Sequence, residues 1–265
     1  MPALAAAPWR AAYALYAVTT FLVLGFAALF ATLILPGVYR RRAAARATAR
    51  AFLWLAGMPL TVRGMERLAP GQCVVVSNHA SYLDGLVFTA ALPARFSFVI
   101  KREMSAVPLA GLFLRRIGSE FVERFDRNRG AADARRVLRN AASGHSLVFF
   151  PEGTFTRTPG LLKFHTGAFV TAARAGCPVI PAVVRGTRAA LSPTGALPRP
   201  GPIEVEILPP IHAQSRGEEA SSTALRDRAR EAILLALDEP DLTCSGDSAL
   251  PPHKGPARSA PASRS

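Results

Sequence analysis

The chain has 265 residues, half of them hydrophobic, and carries 32 Lys and Arg against 18 Asp and Glu for a net charge of +14. That length suits one folded domain of about 200 residues with extensions, and the mean hydropathy of +0.21 is high for a plain soluble protein. The positive balance suits an anionic partner (nucleic acid, a phosphate-bearing substrate or an acidic membrane surface), while three cysteines, Cys73, Cys177 and Cys244, with no C-x-x-C pair argue against a disulfide framework or a zinc site.

Residues 11–35 contain no charge. As helix they extend roughly 37 Å, enough to cross a hydrocarbon core of ~30 Å with some tilt. Pro36 and Gly37 stop the run, and Trp9, Tyr13 and Tyr39 sit near its ends, where aromatic belts lie. A signal peptide has a shorter apolar core of about 7–15 residues, and a buried core helix would show a polar stripe, so a transmembrane helix is expected. Arg40, Arg41, Arg42, Arg46 and Arg50 follow the run and only Arg10 precedes it, which places the remainder of the chain on the cytoplasmic side. Residues 43–60 read equally well as an interfacial helix or as a solvated connector.

Beyond residue 60, short apolar runs alternate with helix-like stretches. Strands are expected at 74–76, 96–100, 147–150, 179–184 and 203–208, continuously apolar as strands covered on both faces are. Helices are expected at 84–92, 109–117, 131–142, 168–175 and 222–237. The alternation predicts an α/β domain, a mainly parallel sheet flanked by helices, preceded by the N-terminal transmembrane helix. The expected organisation is an anchor and basic juxtamembrane segment at 1–50, a domain at 51–240 and a Pro-, Ser-, Ala- and Gly-rich disordered tail at 241–265.

Three segments hold candidate chemistry. Ser77-Asn78-His79-Ala80-Ser81-Tyr82-Leu83-Asp84 follows an apolar strand, at the strand end where open α/β sheets bind ligands. On a continuous helix the side chains of His79 and Asp84 would point ~140° apart. They meet only if His79 is on the loop and Asp84 is in the first helical turn, where the carboxylate could hold one imidazole nitrogen and leave the other to take a proton. Ser81-x-x-Asp84 is equally a helix-start signature, so spacing alone leaves a catalytic and a capping role open. Phe150-Pro151-Glu152-Gly153-Thr154-Phe155-Thr156-Arg157 also follows a strand, and its small residues with Arg157 and Lys163 suit an anion or an ordinary turn. Gly118-Ser119-Glu120-Phe121-Val122-Glu123-Arg124 is weak by itself.

Asn78-His79-x-x-x-x-Asp84, Gly118-x-x-Phe121-x-x-Arg124, Phe150-Pro151-Glu152-Gly153-Thr154 and Val179-Ile180-Pro181, in that order, resemble the four blocks of the glycerolipid acyltransferase family. Ile100-Lys101-Arg102-Glu103 and Leu162-Lys163-Phe164-His165-Thr166-Gly167 are similar to family segments too, and the likeness covers roughly residues 70–185. It implies a membrane-bound bacterial enzyme of the inner membrane, single-pass, that moves a fatty acyl group from a thioester to the sn-2 hydroxyl of 1-acyl-glycerol-3-phosphate. Another lysophospholipid or lyso-aminolipid acceptor is the alternative. It implies His79 as general base and Asp84 as its partner. Asn78, Lys101, Gly118, Phe121, Arg124, Glu152, Gly153, Thr154, Arg157 and Lys163 are the implied substrate-binding residues, with Pro181 shaping the acyl-chain side. The donor is acyl-CoA or acyl carrier protein, with no bound cofactor and no metal. The implied partners are the membrane, the lysophospholipid and the donor, the acyl carrier protein included. One position departs from the family pattern: Phe155 stands where an arginine usually follows the threonine, and the nearest arginine is Arg157. A nucleic-acid role lacks interleaved aromatics or a recognised motif, and a thioesterase, which would use water in place of the lipid hydroxyl, is only weakly excluded by sequence.

Overall fold

The computed structural model describes residues 6–68, 70–123, 144–192, 197–213 and 218–243, together with Val137, Arg139 and Ala141. A hairpin of two helices, α1 (Ala6–Ile34) and α2 (Val38–Leu55), precedes the sheet. Seven strands follow: β1 (Leu60–Arg63), β2 (Val74–Ser77), β3 (Phe96–Lys101), β4 (Glu120–Val122), β5 (Ser146–Phe149), β6 (Val179–Arg185) and β7 (Ile203–Ile207), in the spatial order β1-β7-β6-β2-β5-β3-β4. Neighbours pair in parallel except β6 with β7. Among the described residues, helices α3 (Asp84–Ala91), α4 (Ala110–Arg116), α5 (Gly167–Ala175), α6 (Thr187–Ala190) and α7 (Glu218–Leu237) intervene or follow.

The continuous valine run of β2 is explained by burial on both faces. Val75 faces a core with Phe52, Leu53, Val87 and Phe88 from α2 and α3. Val74 and Val76 face the opposite core, with Phe169, Ala172, Leu225 and Ile233 from α5 and α7. The five expected strands and four of the expected helices are present. The expected helix at 131–142 falls mostly outside the described residues. Cys73 and Cys177 are buried thiols, and burial pushes the Cys177 thiol up to about 11; Cys244 lies outside the described residues.

α1 is long and apolar enough to cross a membrane. It is nevertheless packed at both ends. Near its start, Tyr13 Oη donates to Ala56 O at 2.7 Å and Tyr16 Oη to Leu55 O at 3.0 Å. At its end, Arg116 of α4 donates to Thr32 O at 2.9 Å and Leu33 O at 3.1 Å. The outer face of α1 leaves Leu15, Val18, Leu22, Phe26, Phe30 and Ile34 exposed.

The juxtamembrane arginines are neither uniformly at headgroups nor simply solvated. Arg42 is buried and donates to Ile117 O at 2.8 Å and Gly118 O at 3.3 Å, carbonyls just past the end of α4. Arg41 donates to Leu35 O at 2.8 Å, just beyond α1, and Arg50 reaches Ala90 O near the end of α3 at 3.5 Å. A guanidinium is favoured at a helix C-terminus by both hydrogen bonding and the dipole. The expected start of a tail at residue 241 is too early: Leu242 N donates to Leu161 O at 3.1 Å, and Asp241 pairs with Arg230. Residues 244–265 lie outside the described residues.

Candidate active site

β2 delivers the chain to the C-terminal edge of the parallel strands. Just past its end, Asn78 pins the turn to β6: its side-chain nitrogen donates to Val184 O at 3.0 Å and its oxygen accepts from Val184 N at 2.8 Å. Asn78 is therefore buried scaffolding under the site and is not open to substrate. His79 sits on the loop and Asp84 is the first residue of α3, the arrangement that lets them meet. His79 Nδ1 lies 2.7 Å from Asp84 Oδ2. The same oxygen accepts from Ala80 N at 2.6 Å and Ser81 N at 2.9 Å, so the carboxylate fastens the loop as well as the imidazole. Asp84 is fully buried and the His79 side chain is 19% exposed. With Nδ1 committed to the carboxylate, Nε2 is the nitrogen left for a proton.

Asp84, the first residue of its helix, reaches back to the amides of Ala80 and Ser81, the second being the return bond of the Ser81-x-x-Asp84 helix-start signature, so it serves the helix start as well as the imidazole. Ser81 keeps part of the expected capping role at the helix start and adds a tie to the segment after α6. Its Oγ donates to Leu191 O at 2.7 Å and accepts from Leu83 N at 3.2 Å.

Glu152 faces His79 from below. Its Oε1 accepts from His79 N at 2.6 Å and its Oε2 from Leu162 N at 2.9 Å, in a pocket that leaves the residue 4% exposed. Burial pushes the carboxyl up to about 7, against the opposing pull of the two amides and of Arg188. Both oxygens are occupied, so Glu152 is not placed to bind an acceptor as the sequence suggested. Gly153 closes a turn through its N–H to Phe150 O at 3.0 Å, and Thr154 is exposed beside it.

The imidazole stands among aromatic rings. Phe150 stacks on it at 4.6 Å and 23°, and Phe155 meets it edge-on at 4.5 Å and 78°. Tyr82, largely exposed, packs edge-on against Phe155 at 4.7 Å. The residue that breaks the family pattern thus touches the His79 ring directly. Arg157 and Lys163 are exposed on the following loop, and Lys101 is exposed at the C-terminal end of β3, the same edge of the sheet.

Two expected site residues lie elsewhere. Gly118 is the left-handed residue that ends α4, with φ 72°. Its N–H bonds Arg115 O at 3.0 Å and the next N–H, of Ser119, bonds Leu114 O at 3.0 Å. That is a Schellman closure. Gly118 O accepts from Ser97 Oγ, and Ser97 is level with Leu147 and Val74 at the opposite edge of the sheet from His79. Val74 and Ser77 are three residue steps apart along β2, so the level of Gly118 is roughly 10 Å short of the strand end that carries His79. Pro181 is buried inside β6 alongside Val76, where it supports the sheet and offers no surface to an acyl chain. Phe121 is buried in β4 beside Ile100. Arg124 lies outside the described residues. Among the described residues no group of three His, Cys, Asp or Glu side chains is placed to hold a metal ion. Sequence reading missed Phe150 and Phe155 as ring contacts of His79, and missed Arg188 and Arg230, which reach loop carbonyls of Thr156 and Leu161 from 32 and 69 residues away in the chain.

A histidine on a strand-end loop, held by a buried carboxylate in an open α/β sheet, is an arrangement able to accept a proton, and residues 59–185 match the family model described as acyltransferase. The chain belongs to this acyltransferase family. Among curated relatives, it is 29% identical over 173 residues to a 1-acyl-sn-glycerol-3-phosphate acyltransferase of Cocos nucifera, covering 65% of this chain and 56% of that protein. It is 28% identical over 237 residues to the protein of that name in Saccharomyces cerevisiae, covering 86% of this chain and 78% of the yeast protein. The chain thus spans little more than half of the coconut relative's length. Among solved structures, the 1-acyl-sn-glycerophosphate (LPA) acyltransferase of Thermotoga maritima superposes with a TM-score of 0.66 at 20% identity, covering 85% of this chain and 93% of the other. At that identity the likeness speaks for the fold.

Proposed function

We propose that the chain transfers a fatty acyl group from a thioester to the sn-2 hydroxyl of 1-acyl-glycerol-3-phosphate, in phospholipid synthesis. The observation that carries this is the 2.7 Å contact of His79 Nδ1 with Asp84 Oδ2 at the C-terminal edge of the sheet, joined to relatives named for that reaction. Nε2 of His79 takes the proton of the acceptor hydroxyl as its oxygen attacks the thioester carbonyl, and Asp84 stabilises the imidazolium. The tetrahedral oxyanion then collapses, the C–S bond breaks, and the departing thiolate recovers the proton from His79. Acyl-CoA and acyl carrier protein present the same thioester. Glu152, with both oxygens on backbone amides, holds His79 in place. Lys101, Arg124, Arg157 and Lys163 are the cations proposed to meet the acceptor phosphate.

Phe155 favours a second reading: with an aromatic ring against the base where the family pattern places an arginine, the acceptor carries a different head group. Initial rates of the unaltered protein with lysophosphatidic acid and with a zwitterionic lysolipid separate the two. A poor rate with lysophosphatidic acid refutes the first reading, and a strong one sensitive to Arg124→Ala and Arg157→Ala refutes the second.

Membrane attachment through α1 is part of the proposal. Contacts at both ends of α1 support a helix held against the membrane face of the domain, and the tilted single pass expected from sequence is the alternative. The arginine argument for a cytoplasmic domain also weakens, since Arg41, Arg42 and Arg50 bond backbone carbonyls. Protease added to sealed vesicles of either orientation, followed by mass spectrometry of the cuts, tests both points.

A further inference from the structure

The loop of residues 154–162 places Phe155 against His79 at one end and the Leu162 N–H on Glu152 at the other. It has almost no regular structure of its own, yet groups from the far end of the chain hold its backbone. Arg230 of α7 donates through Nε to Leu162 O at 3.1 Å and through Nη2 to Leu161 O at 3.1 Å. The same guanidinium forks onto Asp241, Nη1 to Oδ2 at 2.9 Å and Nη2 to Oδ1 at 2.5 Å. Arg188 of α6 donates to Thr156 O at 2.6 Å and Thr158 O at 3.2 Å, and lies 3.4 Å from Glu239 Oε2. That carboxylate oxygen also accepts from Gly160 N at 2.6 Å. The strap 239–243 then pairs with the loop backbone, Leu161 N to Pro240 O at 2.9 Å and Leu242 N to Leu161 O at 3.1 Å. The fit is close enough that a Cβ on Gly160 would stand 2.5 Å from Leu242.

We propose that Arg188, Arg230, Glu239 and Asp241 are positioning residues, forming a clamp from the C-terminal strap that sets where the 154–162 loop presents Phe155 and the Leu162 N–H to the base. The inference rests on the acyl-transfer reading. The clamp touches no reacting atom and acts only through the loop, by way of Leu162, Glu152 and the His79 backbone. Arg230 must fork between two loop carbonyls and two carboxylate oxygens, a task that a planar guanidinium can do and an ammonium cannot. Retained charge alone is therefore insufficient. The Arg230 guanidinium also holds the Asp241 carboxyl well below the usual carboxylate range, which keeps the pair ionised.

The test uses the full chain in detergent, with Asp241→Ala, Arg230→Lys and the milder Glu239→Gln beside two controls. Asp227→Ala, on the exposed side of the same helix, is the first, and His79→Ala is the second. Two readouts are taken: kcat and KM for lysophosphatidic acid and for acyl-CoA, and the rate at which trypsin cuts after the exposed Arg157. Asp241→Ala and Arg230→Lys are expected to lower kcat/KM for the acceptor about ten-fold, leave the donor KM within about two-fold, and speed the Arg157 cut. Glu239→Gln should move both readouts the same way by less, and Asp227→Ala should move neither. Unchanged cleavage and acceptor kinetics in Asp241→Ala would overturn the clamp, and so would full function in Arg230→Lys. His79→Ala should be inactive with unchanged cleavage. If it stays active the acyl-transfer reading fails, and the clamp then stands or falls on the cleavage rates.

Discussion

Replacing Asp84 with Asn tests the site at its most buried point. Three donors converge on Oδ2, from His79 at 2.7 Å, Ala80 at 2.6 Å and Ser81 at 2.9 Å, while Oδ1 is buried with no hydrogen-bond partner. In the variant the amide oxygen takes the place of Oδ2, so the amide NH2 falls where Oδ1 was. An unsatisfied buried donor costs about 1–3 kcal/mol, and a domain of this size loses about 2–4 °C of Tm per kcal/mol. A drop on the order of 2–12 °C is expected. The rate should fall further, because the imidazolium formed during proton transfer loses its counter-charge. Correctly positioned general-base catalysis contributes about 10²–10⁴-fold, and most of it should vanish from kcat. KM should change little, since a fully buried carboxylate cannot touch substrate. The assay is initial acyl transfer to lysophosphatidic acid in detergent, normalised to the folded fraction at the assay temperature. A full rate per folded molecule, with only the Tm lowered, would reduce Asp84 to a loop fastener and remove the catalytic pair.

His79→Ala should lose about 10²–10⁴-fold in kcat with a near-native melt, and retention of more than a tenth of the rate contradicts its role. Gly118→Ala forces a left-handed alanine whose Cβ stands 3.0 Å from both the Arg42 guanidinium and Val38. A loss of about 1–2 kcal/mol in stability should appear in the melt, with kinetics per folded molecule unaltered; a raised acceptor KM would return Gly118 to the binding site. Glu152, at about 7 in the fold against 4.5 ordinarily, keeps its proton where the unfolded chain has lost it. Its contribution is therefore fully present below about pH 4.5 and is lost as pH rises to 7, by at most about 3 kcal/mol. Glu152→Gln should be free of that decline, and parallel stability–pH curves for the two proteins would show that the carboxyl is not perturbed.

What the sequence could reveal was set by distance along the chain. The β2 valines, the loop and the start of α3 lie within eleven residues, so local pattern placed His79 and Asp84 and even demanded the loop–helix arrangement that the structure has. β1 and β4 escaped because they are edge strands of four and three residues, too short to show a period. Gly118 was misplaced because a glycine that ends a helix and one that makes way for a phosphate look alike in one dimension. The meaning of Phe155 and Glu152 could not be read locally either: one acts by its ring against His79, the other through amides of residues 79 and 162. Arg188 and Arg230 look like two more members of a basic surplus until their partners are seen.

The hairpin of α1 and α2 has very little slack. Three residues join the two helices, and four join α2 to β1. Tyr13, Tyr16 and Arg116 fasten the apolar helix to the domain at both extremities. On the membrane attachment proposed above, a protein built this way is a hull rather than a buoy on a line: it would not lift its reactive edge off the lipid surface to scan the aqueous phase. On that attachment His79 would ride at one height above the leaflet wherever the protein diffuses. Its acceptor must then arrive by lateral travel within the bilayer, and turnover should follow the surface density of lysolipid instead of its bulk concentration.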